Sequence, residues 1–415
     1  GDGELVSLPH TWNALDGQKG DGTYDRGSYW YVKMLDKWEP SVKYSRLFLE
    51  IPAAGQQAKV FVNGEFVVSH EGGYSAFRAD ITEKCTEEFN TIAIWCSNEK
   101  CDAIYPQSAD FTFYGGLYRG AHLICVPETH FELLHYGDLG IHAATEPASW
   151  DKEDFMLHIR TKICGVEKDN QVIYQIFDED GKEVASAARP ADSPDTSIPL
   201  YKPHRWDIKN SYQYTLKALI MRNNECLDEV ELKFGVRTFC CDPGRGFLIN
   251  GNCVPLRGVS RHQDKLYQGN ALTKEDHIRD AELIEEIGAN TVRLAHYQHA
   301  QEFYNECDKR GFVVWAEIPF ISVMNEDPLA HENCITQLKE LIYQNDHHPS
   351  ICFWGISNEI LIGGISEKLV ENHRELNALA KKIDPYRLTT IAHVTMTPKD
   401  GPMHEITDVE SYNHY

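Results

Sequence analysis

The sequence predicts a multidomain chain of β plus α/β class: a jelly-roll β-sandwich, an immunoglobulin-like β-sandwich, then an incomplete (β/α)8 barrel. Three observations predict it. Short β-rich runs separated by turn signals continue to about residue 238. After about residue 240 the pattern changes to apolar strands alternating with segments of helical periodicity. Residues 351–356 then form an unbroken apolar run that leads into Asn358-Glu359. A strand without polar alternation is covered on both faces, as in the parallel sheet of an α/β protein.

The first unit spans residues 1–128. Residues 47–51 and 58–62 are β-rich, and Asn63-Gly64 before residues 66–68 is a strong hairpin signal. Residues 90–95 predict another strand, and Gly115-Gly116 breaks the chain before a further one at 121–126. This spacing suits a sandwich or jelly roll. The tryptophans and tyrosines here read as core, with little sign of an exposed aromatic platform. In the second unit, 129–238, residues 155–159, 172–176 and 214–220 are strands. Asp180-Gly181 is a turn, and the Pro and Ser cluster at 190–199 reads as a loop. Roughly one hundred residues of this pattern suggest the immunoglobulin-like sandwich.

The third unit, 239–415, opens with a strand at 254–259. Thr273 with Asp276 marks a helix N-terminus, and Ile278, Leu283, Ile284 and Ile287 keep helical spacing until Gly288. A strand at 291–294, a helix at 300–310 and a strand at 313–316 follow. Ile335, Leu338, Leu341 and Ile342 mark the helix before the 351–356 strand. Leu369, Val370, Leu376, Leu379 and Ile383 mark the helix after it, ended by Asp384-Pro385. Strands at 389–393 and 408–415 close the list. The pattern is a barrel begun and not finished.

Composition narrows the function classes. Forty basic against 63 acidic residues give a net charge of −23, which argues against nucleic acid or anionic membrane as partner and suits neutral substrates. An apolar content of 42% suffices for real cores, and no apolar run approaches a membrane span. The opening Gly-Asp-Gly-Glu lacks the basic and apolar regions of a signal peptide. The 12 cysteines are scattered, with no pair of CxxC motifs at zinc-like spacing. Reduced structural thiols and a cytoplasmic location are the expectation.

Polar residues at the C-terminal ends of barrel strands face the site in such a fold. Here those ends carry Ser260-Arg261-His262-Gln263-Asp264, then Arg293 through His296-Tyr297, then Glu317, Asn358-Glu359 and Asn413-His414-Tyr415. Donors, acceptors and carboxylates converge from five strands, which favours an enzyme acting on a polar substrate, and a carboxylic acid at the end of an apolar strand suits general acid–base work. Taken singly, each has a structural reading: Glu359 as the start of a loop, His296 as a satisfied histidine, Arg293 as a barrel-layer ion pair with Glu317. His262, His296 and His299 also offer a metal reading, but the helical HExxH pattern is missing and catalytic zinc is not expected. His347-His348, before Pro349, shape a loop. The sequence contains no GxSxG elbow, P-loop or strand-linked GxGxxG.

Several longer motifs bring these positions into a known order: Gly72-Gly73-Tyr74 with Phe77, Asp110 through Tyr114-Gly115-Gly116-Leu117-Tyr118-Arg119, and Arg257 through Asp264. They continue with Gly288 through Tyr297, Val314-Trp315-Ala316-Glu317-Ile318-Pro319, and His348-Pro349-Ser350 through Asn358-Glu359. On these motifs the chain resembles glycoside hydrolase family 2, the β-galactosidase, β-glucuronidase and β-mannosidase group, and the compact bacterial β-galactosidases most. The resemblance implies a jelly roll, an immunoglobulin-like domain and a TIM barrel, with a carbohydrate as partner and no cofactor. It implies Glu359 as general acid/base and Asn358 as the amide that bonds the sugar 2-hydroxyl. His262, His296 and Asp110 match sugar-binding residues, and Arg293 and Tyr415 match groups that contact the nucleophile carboxylate. The implied reaction is retaining hydrolysis by double displacement, releasing terminal β-linked galactose. β-Glucuronidase and a non-catalytic carbohydrate-binding module are the alternatives.

The chain departs from the family pattern in one respect. The nucleophile glutamate belongs after the tyrosine matched by Tyr415, and neither Glu405 nor Glu410 matches it. Retaining glycosidases need two carboxyl groups roughly 5–5.5 Å apart, so this polypeptide alone is expected to be an inactive fragment. An open barrel edge is a site for self-association into a homo-oligomer. Residues 318–321 continue apolar after Glu317, so the family's magnesium site is not transferred. A sodium site using Asp110 belongs to a full-length enzyme.

Overall fold

The computed structural model describes residues 3–18, 20, 23–36, 45–86 and 88–415. In the first unit, Ser28–Asp36, Phe89–Ser97, Gln57–Val62 and Glu65–Glu71 form one antiparallel sheet in that order. Phe77–Asp80, Arg46–Ile51 and His122–Val126 form the other. The Asn63-Gly64 turn has both residues left-handed, at φ 52° and 84°, as a two-residue hairpin whose twist matches its strands requires. Leu47, Leu49 and Ile51 meet Val60, Ile92 and Ile94 between the sheets.

The reading of the first-unit tryptophans and tyrosines as core is corrected here. Strand Ser28–Asp36, which the sequence did not reveal, carries apolar side chains on both faces. Tyr31 and Leu35 pack inward, while Trp30 is 56% exposed and Phe66 54% exposed on the outer face. Phe61 lies between them, with ring centroids 5.5 and 5.6 Å away.

The second unit is a sandwich of three and four strands. Thr196–Leu200, Phe155–Thr161 and Ile141–Pro147 face Glu183–Pro190, Gln171–Phe177, Tyr214–Arg222 and Glu225–Phe234. Leu157, Ile159, Val172, Tyr174, Leu216 and Ile220 fill it. Part of the expected 190–199 loop is a strand. Thr196, Ile198 and Leu200 alternate inward, and Pro199 is tolerated because the strand lies at a sheet edge.

Six parallel strands follow in chain order: Gly258–Arg261, Thr291–Leu294, Val313–Glu317, Ile351–Asn358, Leu388–Val394 and Val409–Asn413. Between them run helices α1 (Lys274–Glu286), α2 (Gln301–Arg310), α3 (Pro328–Asn345) and α4 (Glu367–Ile383). Thr273 and Asp276 form a reciprocal capping box at α1. The strand expected at 254–259 begins only at Gly258. Before it, Phe239–Asp242, Gly246–Ile249 and Asn252–Cys253 make a small antiparallel sheet. From that sheet Phe247 and Ile249 pack on Val313, Cys352 and Phe353 at the barrel-strand starts. This closes the N-terminal end of the barrel and leaves the C-terminal strand ends as the open face.

Helix α3 docks the first unit with polar side chains. Asn333 accepts from the Tyr105 N–H at 3.0 Å and donates to the Glu71 carbonyl at 3.0 Å. Glu340 lies 2.8 Å from His70, and the Gln344 amide bonds both the N–H and the carbonyl of Ala76.

Candidate active site

The fourth strand is buried along its whole length, Ile351 to Asn358, and delivers Asn358 and Glu359 to the open face. Glu359 adopts a left-handed conformation at φ 49°, ψ 25°, a region that non-glycine residues avoid and that functional sites retain. Its N–H donates to the Ala392 carbonyl at 2.8 Å, and its carbonyl accepts from Ile362 at 3.1 Å. Both neighbours thus hold the turn, and the side chain stays half-buried at the strand end.

Glu317, from the third strand, organises the floor. Arg293 Nε donates to Glu317 Oε2 at 2.9 Å and Nη2 to Oε1 at 3.0 Å, while His296 Nδ1 bonds the same Oε1. Burial pushes the Glu317 carboxyl upward, but the charges of Arg293 and His296 override it and hold the group below its ordinary value. The fourth strand permits this packing because it carries Gly355. A β-carbon there would lie 2.5 Å from Glu317 Cβ and 2.3 Å from Trp315 Nε1.

Arg293 extends the network upward. Its Nη2 donates to Asn358 Oδ1 at 2.7 Å and its Nη1 to Asn413 Oδ1 at 3.0 Å. Asn413 in turn donates to Asn358 Oδ1 at 3.0 Å and to Glu359 Oε1 at 2.8 Å. The Tyr415 hydroxyl donates to the same Glu359 oxygen at 2.6 Å, and this bond raises the Tyr415 hydroxyl above its ordinary value. The Asn358 oxygen is thus engaged twice, and its amide N–H groups donate to no side chain or carbonyl among the described residues. The ion-pair alternative for Arg293 is therefore observed, and it coexists with contacts to Asn358 and Asn413.

His262 and His296 stand side by side, ring centroids 5.3 Å apart, under Phe111 from the first unit. His262 Nδ1 lies 3.2 Å from the Tyr297 hydroxyl, and Tyr297 stacks on Tyr74 at 4.2 Å. Burial, then the neighbouring His296, lowers the His262 pKa and favours a neutral ring. Asp110 is exposed on the same first-unit segment, and its charge acts on both His262 and Tyr415. All seven sequence candidates thus gather at one end of the barrel. Asn413, bonded to three of them, was not singled out as a site residue; its place beside Tyr415 at a strand end was the available signal. His299 points elsewhere, buried beneath Arg261, whose Nη1 is 3.0 Å away.

Family models describe the same architecture. One for the glycosyl hydrolases family 2 TIM barrel domain matches residues 243–413, and one for glycosyl hydrolases family 2 matches residues 148–237. The chain belongs to glycoside hydrolase family 2. Within that family it is 36% identical to a β-glucuronidase of Bacteroides fragilis, over 100% of this chain and 61% of the relative. It is 30% identical to a β-galactosidase of Thermoanaerobacter pseudethanolicus, over 93% of this chain and 51% of the relative. Among solved structures it is similar to an FMN-binding β-glucuronidase of Faecalibacterium prausnitzii L2-6, with 52% identity and a TM-score of 0.97. That likeness covers 99% of this chain and 64% of that one. A Bacteroides uniformis β-glucuronidase follows at 31% identity and a TM-score of 0.92, over 99% of this chain and 52% of that one. The chain thus spans between about half and two thirds of the length of these family 2 relatives.

Proposed function

We propose that this chain carries the sugar-binding and acid–base side of a retaining β-glycosidase, with a β-glucuronide as substrate class and a β-galactoside as the alternative. The observation that carries the reading is the shared hydrogen-bond network of Asn358, Glu359, Arg293, Asn413 and Tyr415 at the open strand ends. The sequence motifs favoured the galactoside. The relatives at 36% and 52% identity, both named β-glucuronidases, support the shift to the glucuronide.

In this reading Glu359 protonates the leaving glycosidic oxygen and later deprotonates the incoming water. The free amide of Asn358 bonds the sugar 2-hydroxyl, an interaction that strengthens in the transition state. Neutral His262 offers one ring nitrogen to a further hydroxyl. The second carboxylate is not assigned to any glutamate of this sequence, so the polypeptide by itself binds the glycoside without normal turnover.

The test is hydrolysis of nitrophenyl β-glucuronide and β-galactoside by this chain and by any longer polypeptide that carries it, with binding measured in parallel. Turnover confined to the longer polypeptide, faster on the glucuronide, supports the proposal. Turnover by the 415 residues alone would overturn the assignment of the missing carboxylate. Binding without turnover in every form favours a carbohydrate-binding module.

A second reading concerns a ligand. The 52% identical relative is described as FMN-binding, and we infer that this chain binds FMN as well.

A further inference from the structure

A cavity of about 160 Å³ lies at the N-terminal end of the barrel, the end opposite Glu359. The second sandwich forms one wall with residues 143–147, and the loops that enter the fourth and fifth barrel strands form the other with Asp346, His347, Tyr386 and Arg387. Residues 143–147 belong to strand Ile141–Pro147, which is paired on one side only. Its unpaired edge offers main-chain N–H and carbonyl groups in a row.

The charge balance of this cleft is unusual. Arg237 Nη2 and Arg387 Nε donate to one and the same acceptor, the Ile351 carbonyl, each at 2.8 Å. Arg387 is neutralised by Asp384 at 2.7 Å. Among the described residues Arg237 has no carboxylate partner, and its buried Nε donates to nothing. Burial and the charge of Arg387 lower the Arg237 pKa to about 10. The carboxylates whose charge reaches Arg237, Asp384 and Asp308, are bonded to Arg387 and His348. A buried guanidinium without a carboxylate bonded to it is costly, and a bound anion lowers that cost. Phe239, under the Arg237 guanidinium at 5.1 Å, and Tyr386, partly exposed at the rim, add flat apolar surface.

We infer that this cleft is a site for a planar anionic heteroaromatic ligand of the flavin-nucleotide class. Arg237 meets the phosphate, the aromatic rim covers the ring system, and the free strand edge bonds its polar edge. The inference rests on the reading that the chain binds FMN, and adds to it the location and the deciding charge.

The test is titration with FMN and with riboflavin, which lacks the phosphate, following flavin fluorescence for the wild type, Arg237→Met and Tyr386→Ala. The expected result is saturable FMN binding, weakened about 30-fold or more by Arg237→Met, the loss typical of truncating one partner of a buried charge pair. Riboflavin binds weakly and is insensitive to Arg237→Met. Without FMN, Arg237→Met melts at or above the wild-type temperature, because a buried cation with no carboxylate bonded to it is gone. Should that variant fail to fold, Tyr386→Ala at the exposed rim carries the test by weakening FMN binding. FMN binding that survives both substitutions puts the flavin elsewhere and overturns the assignment of the cleft while leaving the FMN reading intact. A wild type that does not bind FMN overturns the reading itself.

Discussion

The fully buried carboxylate of Glu317 grips Arg293 at two points, 2.9 and 3.0 Å, and so sets the height at which Arg293 meets Asn358. Replacing one member of such a pair strands the other charge, at a cost of about 3–5 kcal/mol. Glu317→Gln is therefore expected to lower the urea midpoint with an unchanged m value and to weaken sugar binding. Because Arg293 and His296 hold Glu317 below its ordinary pKa, its stabilisation is complete above the unfolded carboxyl value. It is lost as pH falls through the folded value. Acid unfolding of Glu317→Gln should accordingly be less steep than that of the wild type.

Gly355→Ala should reproduce much of this defect from the neighbouring strand. Its new β-carbon would meet Trp315 Nε1 at 2.3 Å and Glu317 Cβ at 2.5 Å, distances that force both side chains to move. Overpacking of this kind costs about 1–3 kcal/mol. Calorimetric melting together with sugar binding checks it; a variant that melts and binds like the wild type refutes the close packing.

In the proposed reading Glu359 combines acid–base chemistry with an unfavourable backbone conformation, and the two are separable. Glu359→Gly should raise stability by about 1 kcal/mol, since glycine adopts φ 49° freely, while removing the acid. Glu359→Gln keeps the fold. In a polypeptide that turns over substrate it should slow glycosides with poor leaving groups by about 10²–10⁴-fold, and activated nitrophenyl glycosides far less. Equal loss on both substrate types would argue against acid–base work at Glu359.

At the junction of the units, His142 lies between Asp138, 3.1 Å away, and Asp346, 2.8 Å away. Burial acts to lower its pKa, but the two carboxylates override this and raise it to about 9. A raised value means stabilisation that is fully present below the unfolded histidine value of about 6.5 and disappears as pH rises through about 9. Thermal stability should fall between pH 7 and pH 10, and His142→Asn should flatten that fall. An identical profile in the variant would refute the clamp.

Much of this was legible in the chain because local physics and fold agreed. Asn63-Gly64 could serve one turn, Thr273 with Asp276 one cap, and the 351–356 run one buried strand. The open-end residues were legible because parallel strands place their last residues together. The misses share a cause. Trp30, Val32 and Met34 alternate with Tyr31, Lys33 and Leu35, so strand Ser28–Asp36 shows no clear apolar period, and its outward Trp30 looked like core. Thr196–Leu200 lay hidden among turn formers because an edge strand tolerates proline. Asn413 has no pattern of its own; its importance comes from the three partners that only the folded sheet assembles.

The polar face of α3 bears on how such proteins diversify. A hydrocarbon surface would accept almost any oily neighbour, whereas Asn333, Gln337 and Gln344 ask for main-chain donors and acceptors, and Glu340 for the His70 side chain, in set places. A first unit borrowed from another lineage would dock only if its loops presented Glu71, Ala76 and Tyr105 equivalents in the same register. The two pieces are therefore matched to each other, and shuffling them would first break the grammar of this seam.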